Sequence, residues 1–202
     1  MRACLLFAPI ALALAAPAQA MEAGTWTFGL GAHGVVPASD NGRLAGGALA
    51  ADVGDDWRPT VTAEYFFRDN WGIEVLAALP FEHQIELNGA RAGSARHLPP
   101  TMSLQYHFAG ARVSPFVGLG LNYTRFLDED TTGPLAGARL DLDASWGLAA
   151  HAGLDFAVGR GKWLRVDARW IDIDTEVKVD GADVGTVKID PLVYGAAFVW
   201  AF

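Results

Sequence analysis

Cysteine is almost missing from this chain. The single one, Cys4, lies within the first twenty residues, so no disulfide can staple the remainder. Long apolar runs are missing too. Beyond residue 20 none reaches the roughly 18 residues that a membrane-spanning helix needs. Basic residues are few, 15 Lys and Arg against 23 Asp and Glu, for a net charge of −8. That balance excludes a nucleic-acid partner, which calls for a cationic face. Chemistry-bearing motifs are equally sparse. His33, His83, His97, His107 and His151 are scattered, with no H-E-x-x-H and no Cys partner, so no zinc site is expected. Gly29-Leu30-Gly31-Ala32-His33-Gly34 matches G-x-G-x-x-G, but it lies inside a predicted strand with no helix after it, which removes the dinucleotide reading. Ser145 and His151 stand about 20 Å apart along one extended strand, and Ser94 and His97 merely share a loop. No cofactor, no metal and no catalytic residue is expected; the chain reads as a non-enzyme. The acidic set Asp172, Asp174, Glu176, Asp180 and Asp183 lacks EF-hand spacing. It reads as solvated carboxylates beside divalent-bridged lipopolysaccharide.

What the chain does have is apolar content, 51%, cut into short segments, with 23 Gly and 7 Trp. The first segment is different from the rest. Met1-Arg2 leads into an apolar run broken only by Pro9, and Ala18-Gln19-Ala20 supplies an A-x-A cleavage site. Residues 1–20 therefore read as a cleaved secretory signal peptide, without a lipobox, and residues 21–202 as the mature domain.

The remaining segments alternate with period two, the signature of strands. In the last one Leu192, Tyr194, Ala196, Phe198, Trp200 and Phe202 share one face, and Val193, Gly195, Ala197, Val199 and Ala201 the other. One face is large and aromatic, as on a strand that meets lipid, and the other is small. A buried last strand of a soluble sandwich would also alternate. Seven further segments follow the same rule: residues 25–34, 60–67, 71–85, 101–108, 115–127, 145–157, and one from 163 that runs on to 179 and turns at Asp180-Gly181. Gaps of three to six residues alternate with long ones at 35–58, 86–100 and 128–144. An even number of alternating strands with short turns on one side and long loops on the other defines the fold class: all-β, an eight-stranded antiparallel transmembrane β-barrel with short periplasmic turns and longer extracellular loops. The expected location is the outer membrane of a Gram-negative cell, in contact with outer-membrane lipid and lipopolysaccharide.

Several stretches, in this order, carry a resemblance. They are residues 71–81 (WGIEVLAALPF), 98–101 (LPPT), 115–123 (PFVGLGLNY), 145–147 (SWG), 171–175 (IDIDT) and the closing Ile189-Asp190-Pro191 into Phe202. The chain resembles the OmpW family of eight-stranded outer-membrane proteins across nearly all of residues 21–202. The resemblance implies a narrow channel with an apolar interior, serving uptake of small hydrophobic molecules; some members are bacteriocin receptors. It also implies that Tyr194, Phe198, Trp200 and Phe202 form the carboxyl-terminal signature read by the barrel-assembly machinery. A structural, adhesive or receptor barrel without transport is the alternative.

Strand parity gives the inward face. Near the short turns it holds Glu64, Glu74, Gln105, His107, Asp155, Arg165, Asp167 and, one step higher, Arg169. Too narrow a barrel for a wide pore requires such groups to pair, so a salt-bridged polar floor is expected; a wet, scattered interior is the other possibility. The remaining inward residues, Leu76, Ala78, Pro80, Gly118, Gly120 and Ala149, with Phe66 and Phe116 lower down, are apolar or small. They would line a dry pocket for a hydrocarbon or simply pack the interior. Pro80, Pro99 and Pro100 withdraw ladder donors at the outer boundary. They mark either a lateral exit into lipid or ordinary strand ends.

Overall fold

The computed structural model describes residues 21–202; the expected signal peptide, 1–20, lies outside them. Eight antiparallel strands close a barrel: Trp26–Val36, Asp56–Arg68, Trp71–Ala78, Thr101–His107, Val113–Thr131, Ser145–Gly159, Lys162–Ile171 and Leu192–Ala201. The first strand seals the wall by pairing with the eighth, Thr27 opposite Ala201 through Val36 opposite Leu192. Closure pairs the first strand with the last, so no free terminal edge is left, which is why strands can cross a membrane. No helix among the described residues is long and apolar enough to do so.

Alternation decides which face is which. Phe28, Leu30, Ile73, Val75, Leu119, Leu148 and Val166 stand exposed on the outside, while Thr62, Glu64, Glu74, Ser103, Gln105 and Asp155 are buried inside. Aromatic pairs ring the barrel at two levels. Trp26 with Tyr65 (4.9 Å) and Trp71 with Tyr106 (5.0 Å) sit near the short turns. Trp57 with Tyr194 (5.4 Å) and Tyr123 with Trp146 (4.7 Å) sit near the long connections. Two such girdles bound the apolar belt of an outer-membrane barrel. Asn70 and Gly161 take positive φ in two of the short turns.

The long connections are not loops. Phe81–Leu87 and Ala90–Leu98 form a hairpin whose Asn88-Gly89 turn has positive φ at both residues, the type I′ geometry. Asp174–Val179 and Ala182–Lys188 form another, turned by Asp180 and Gly181 in the same way. Short strands at Arg43–Leu44, Leu49–Val53 and Leu140–Leu142 complete this extracellular storey. Together with the long fifth strand they enclose the main hydrophobic core, including Leu44, Phe81, Leu87, Phe126, Ile173, Val177 and Ile189. The core of the protein thus lies above the membrane belt.

One expected strand is corrected here. Residues 71–85 do not run as one strand; the third wall strand ends at Ala78 and Leu79-Pro80 breaks it. Parity slips at the break. Odd residues face outward through Leu79, which is exposed, but Phe81 beyond it is fully buried. A one-residue slip moves every later side chain to the opposite face. The orientation is tested by insertion tags: an epitope placed beside Gly137 is labelled on intact cells, whereas one at Asp69 is labelled only after permeabilisation. Surface labelling at Asp69 would invert the topology.

Candidate functional site

The lower lumen is filled by a buried ionic network. Arg165, from the seventh strand, donates from Nε and Nη2 to both carboxylate oxygens of Asp155 (2.8 and 2.9 Å) and from Nη1 to Glu74 (2.7 Å). Its Nη2 also lies 3.5 Å from Glu64, and its guanidinium sits 4.3 Å over the Phe116 ring. Arg169 donates from Nη2 to Glu74 (2.9 Å), and Gln105 donates to His151 Nδ1 (3.0 Å). Asp167 accepts from the Nε2 atoms of His33 (3.1 Å) and His151 (2.9 Å), and Glu64 from that of His107 (2.9 Å). The structure therefore brings Glu64, Glu74, Gln105, Asp155, Arg165, Asp167 and Arg169 into one network. His33 and His151 belong to it as well, although sequence reasoning left them unassigned. Parity could have found them, since His33 shares the inward face with Gly29 and Gly31, and His151 with Asp155.

Glycine makes room for this network. A Cβ at Gly72 would fall on the Glu64 carboxylate, and one at Gly153 would press on the Phe116 ring and on Asp167 Cβ, both at 2.6–2.7 Å. Phe66 packs edge-on against His107 (5.1 Å), and Phe116 stacks on the same ring (5.0 Å). Both phenylalanines are thus parts of the floor.

An apolar cavity of about 260 Å³ exists, but one storey higher than the sequence placed it. Leu44, Leu87, Phe126, Leu140, Val177 and Ile189 are among its walls, with His83 and His97. None of Leu76, Ala78, Pro80, Phe66, Phe116, Gly118, Gly120 or Ala149 lines it. This corrects the expected apolar lumen, and the reason is steric. A Cβ at Gly118 would meet Gln105 Cγ at 3.0 Å, and one at Gly120 would meet Ser103 Oγ at 2.5 Å, so these glycines accommodate fourth-strand side chains and open no space. Leu76 and Ala149 are buried, and Ala78 packs under the extracellular core. At this level an eight-stranded barrel is filled by its own side chains. A second, more open cavity of about 620 Å³ lies at the periplasmic mouth, lined by Glu22, Asp69, Ser114 and Arg160 among others.

Between the two storeys the wall has a seam. The third and fourth strands pair only from Trp71 opposite Tyr106 to Leu76 opposite Thr101, and pairing resumes at Phe81 opposite His97. Among the described residues no backbone hydrogen bond joins 77–80 to 98–100. Both flanks are stitched. Leu79 N donates to Pro59 O (3.3 Å) on one side and Tyr123 N to Pro100 O (3.1 Å) on the other. Asn122 Nδ2 reaches the Pro99 and Pro100 carbonyls (3.2 and 3.3 Å). The interruption is confined to the stretch that Pro80, Pro99 and Pro100 occupy.

A closed eight-stranded wall with aromatic girdles, a polar floor and an apolar chamber above it defines an outer-membrane β-barrel. The comparisons narrow this. An OmpW family profile matches residues 22–202, and the chain belongs to that family. It is 36% identical to Outer membrane protein W of Vibrio cholerae serotype O1 over 209 residues, 96% of each chain. It is 29% identical over 174 residues to the dibenzothiophene metabolism operon protein PahQ of Pseudomonas aeruginosa, covering 81% of this chain and 80% of that one. The crystal structure of outer membrane protein OprG from Pseudomonas aeruginosa superposes with a TM-score of 0.78 at 32% identity, covering 90% of this chain and 97% of that one.

Two predictions follow from the site's electrostatics. Arg165→Ala leaves three buried carboxylates short of their partner and destabilises the barrel by about 3–5 kcal/mol in a denaturant series. Arg169→Ala, which removes one close carboxylate contact, costs less. Arg165→Ala combined with Asp155→Ala is milder than the sum of the single changes; strict additivity would dissolve the network. The second concerns pH. In the extracellular hairpin, burial and then the neighbouring His83 hold His97 down from 6.5 to about 3, against the pull of Asp56. The unfolded hairpin thus binds the proton more readily than the folded one. The contribution of His97 is complete above pH 6.5 and is lost progressively as pH falls toward about 3. Protease resistance of Phe81–Leu98 falls over that window, and His97→Phe flattens the dependence.

Proposed function

We propose that the protein is a passive outer-membrane channel that takes up small hydrophobic molecules and releases them sideways into the membrane. The observation that carries this reading is the stacking of an apolar chamber on a floor of paired charges. A hydrocarbon crossing the floor would have to separate ion pairs and offer no hydrogen bonds in return. The chamber, by contrast, is of a size and polarity that apolar guests enter. The seam at Pro80, Pro99 and Pro100 lies directly beside His97 in the chamber wall and offers an opening toward lipid. Lipopolysaccharide forms a charged saccharide layer that slows apolar solutes, and the chamber stands above the belt that layer covers. Kinship with a protein named for a dibenzothiophene metabolism operon supports a hydrophobic cargo. The carboxyl-terminal aromatics Tyr194, Phe198, Trp200 and Phe202 supply the face read by the barrel-assembly machinery.

Flux into proteoliposomes, with a small hydrocarbon and a small polar solute side by side, tests the reading. The hydrocarbon is expected to pass in preference. Filling the chamber by Ala95→Phe abolishes that preference, and replacing all three prolines by valine slows uptake by completing the ladder. Arg169→Lys in the floor, which keeps the charge, changes it little. Control of flux by the floor, with no effect of the prolines, would mean a straight-through path. No preference at all would leave a structural or receptor barrel.

A further inference from the structure

The short turns carry a charge opposite in sign to that of the chain. Residues 68–70, 108–112 and 159–162 hold four cations, Arg68, Arg112, Arg160 and Lys162, against one carboxylate, Asp69, in a protein whose net charge is −8. Asp69 is engaged locally, since it accepts from Ala23 N (2.9 Å). Glu22 is the other acid at the periplasmic mouth. All four cations are exposed. In the extracellular storey Arg58, Arg96, Arg139, Lys178 and Lys188 each stand within 3.4 Å of a carboxylate. Among the described residues none of the four turn cations has such a partner.

Register fixes where two of them point. Arg68 lies opposite Trp71 across one rung, and Lys162 opposite Trp200 across another. Residues that face each other across a rung share a side of the sheet. Trp71 continues the exposed outward row of Ile73 and Val75, and Trp200 that of Phe198. Arg68 and Lys162 therefore stand on the lipid side of the wall, each beside a girdle tryptophan. Arg112 crowns the turn between, where its carbonyl accepts from Ala157 N (2.8 Å), and Arg160 lies in the turn beyond.

Water would solvate lone cations anywhere on the surface, but it gives no reason for the sign to reverse at this one end. Anionic headgroups do. An interfacial tryptophan sits at the hydrocarbon boundary, and a long basic side chain beside it carries its charge outward to the phosphates. We infer that the periplasmic rim is a docking surface for the phosphates of anionic glycerophospholipids in the inner leaflet. Arg68 with Trp71 and Lys162 with Trp200 are its lipid-facing seats, and Arg112 and Arg160 add to the attracting field. This surface is independent of the chamber and of any cargo.

The full barrel in phosphatidylcholine vesicles tests it. Tryptophan fluorescence is quenched by brominated phosphatidylglycerol or brominated phosphatidylcholine at equal mole fraction, which yields the relative affinity of the two lipids. The wild-type chain is expected to favour phosphatidylglycerol by about fivefold at low salt, the preference shrinking as salt is raised. Arg68→Gln combined with Lys162→Gln brings it close to parity, with heat-modifiability unchanged. Arg125→Gln, which removes an exposed cation on the extracellular side, leaves it intact. Equal quenching by the two lipids in the wild type, a preference that survives the double change, or one abolished by Arg125→Gln instead overturns the surface. Retention of soluble peptidoglycan fragments by the wild type and not by the double variant, without a lipid preference, assigns the rim to that polymer and overturns the lipid reading as well.

Discussion

The guanidinium of Arg165 is the contact on which the rest of the molecule depends. Three carboxylates from three other strands converge on it, and an aromatic ring from a fourth lies beneath. None of these groups could be buried alone at tolerable cost. Held together, they fill the lower lumen. Because an eight-stranded wall has room for little besides side chains, every other inward position must fit around them. Gly72 and Gly153 lack side chains for that reason, and Phe66 and Phe116 spend their rings packing against the imidazole of His107.

A filled lumen displaces the useful space upward. The extracellular hairpins carry the hydrophobic core that a small barrel has no interior volume to hold, and the chamber forms where they meet. The same displacement gives the seam its importance. Prolines at 80, 99 and 100 interrupt pairing at the height where floor gives way to chamber, and the Asn122 amide satisfies the Pro99 and Pro100 carbonyls from the fifth-strand side. The wall stays rigid on both flanks and unstitched between them. Stability and the gap in the ladder thus belong to different residues.

How much of this could be read from residues alone depended on whether parity survived. Along the wall strands period two places a residue on its face unaided, so Glu64, Glu74, Asp155, Arg165 and Asp167 were legible as inward and close to the short turns. Pairing partners were not, because register is a property of closure and not of any one strand. Above Leu79 parity was lost: Pro80 shifts the phase, so Phe81 reads as outward in sequence and is buried in the fold. The chamber was illegible for a related cause. Its walls come from segments that read as loops, although Asn88-Gly89, the strongest short-range hairpin signal, stood among them unused.

The histidines show how one residue type divides between the two storeys. In the floor, His33, His107 and His151 each meet a carboxylate, so that every imidazole there answers a charge that the arginines alone do not cover. In the chamber wall His83 and His97 stack on each other and on phenylalanine, and His83 Nδ1 donates to the Gly54 carbonyl. Desolvation falls on both groups, and carboxylates offset it only in the first. The floor keeps unpaired atoms too, among them Arg169 Nε and Gln105 Oε1, so what separates the storeys is charge: the floor buries ion pairs against one another, whereas the chamber presents an almost wholly apolar surface.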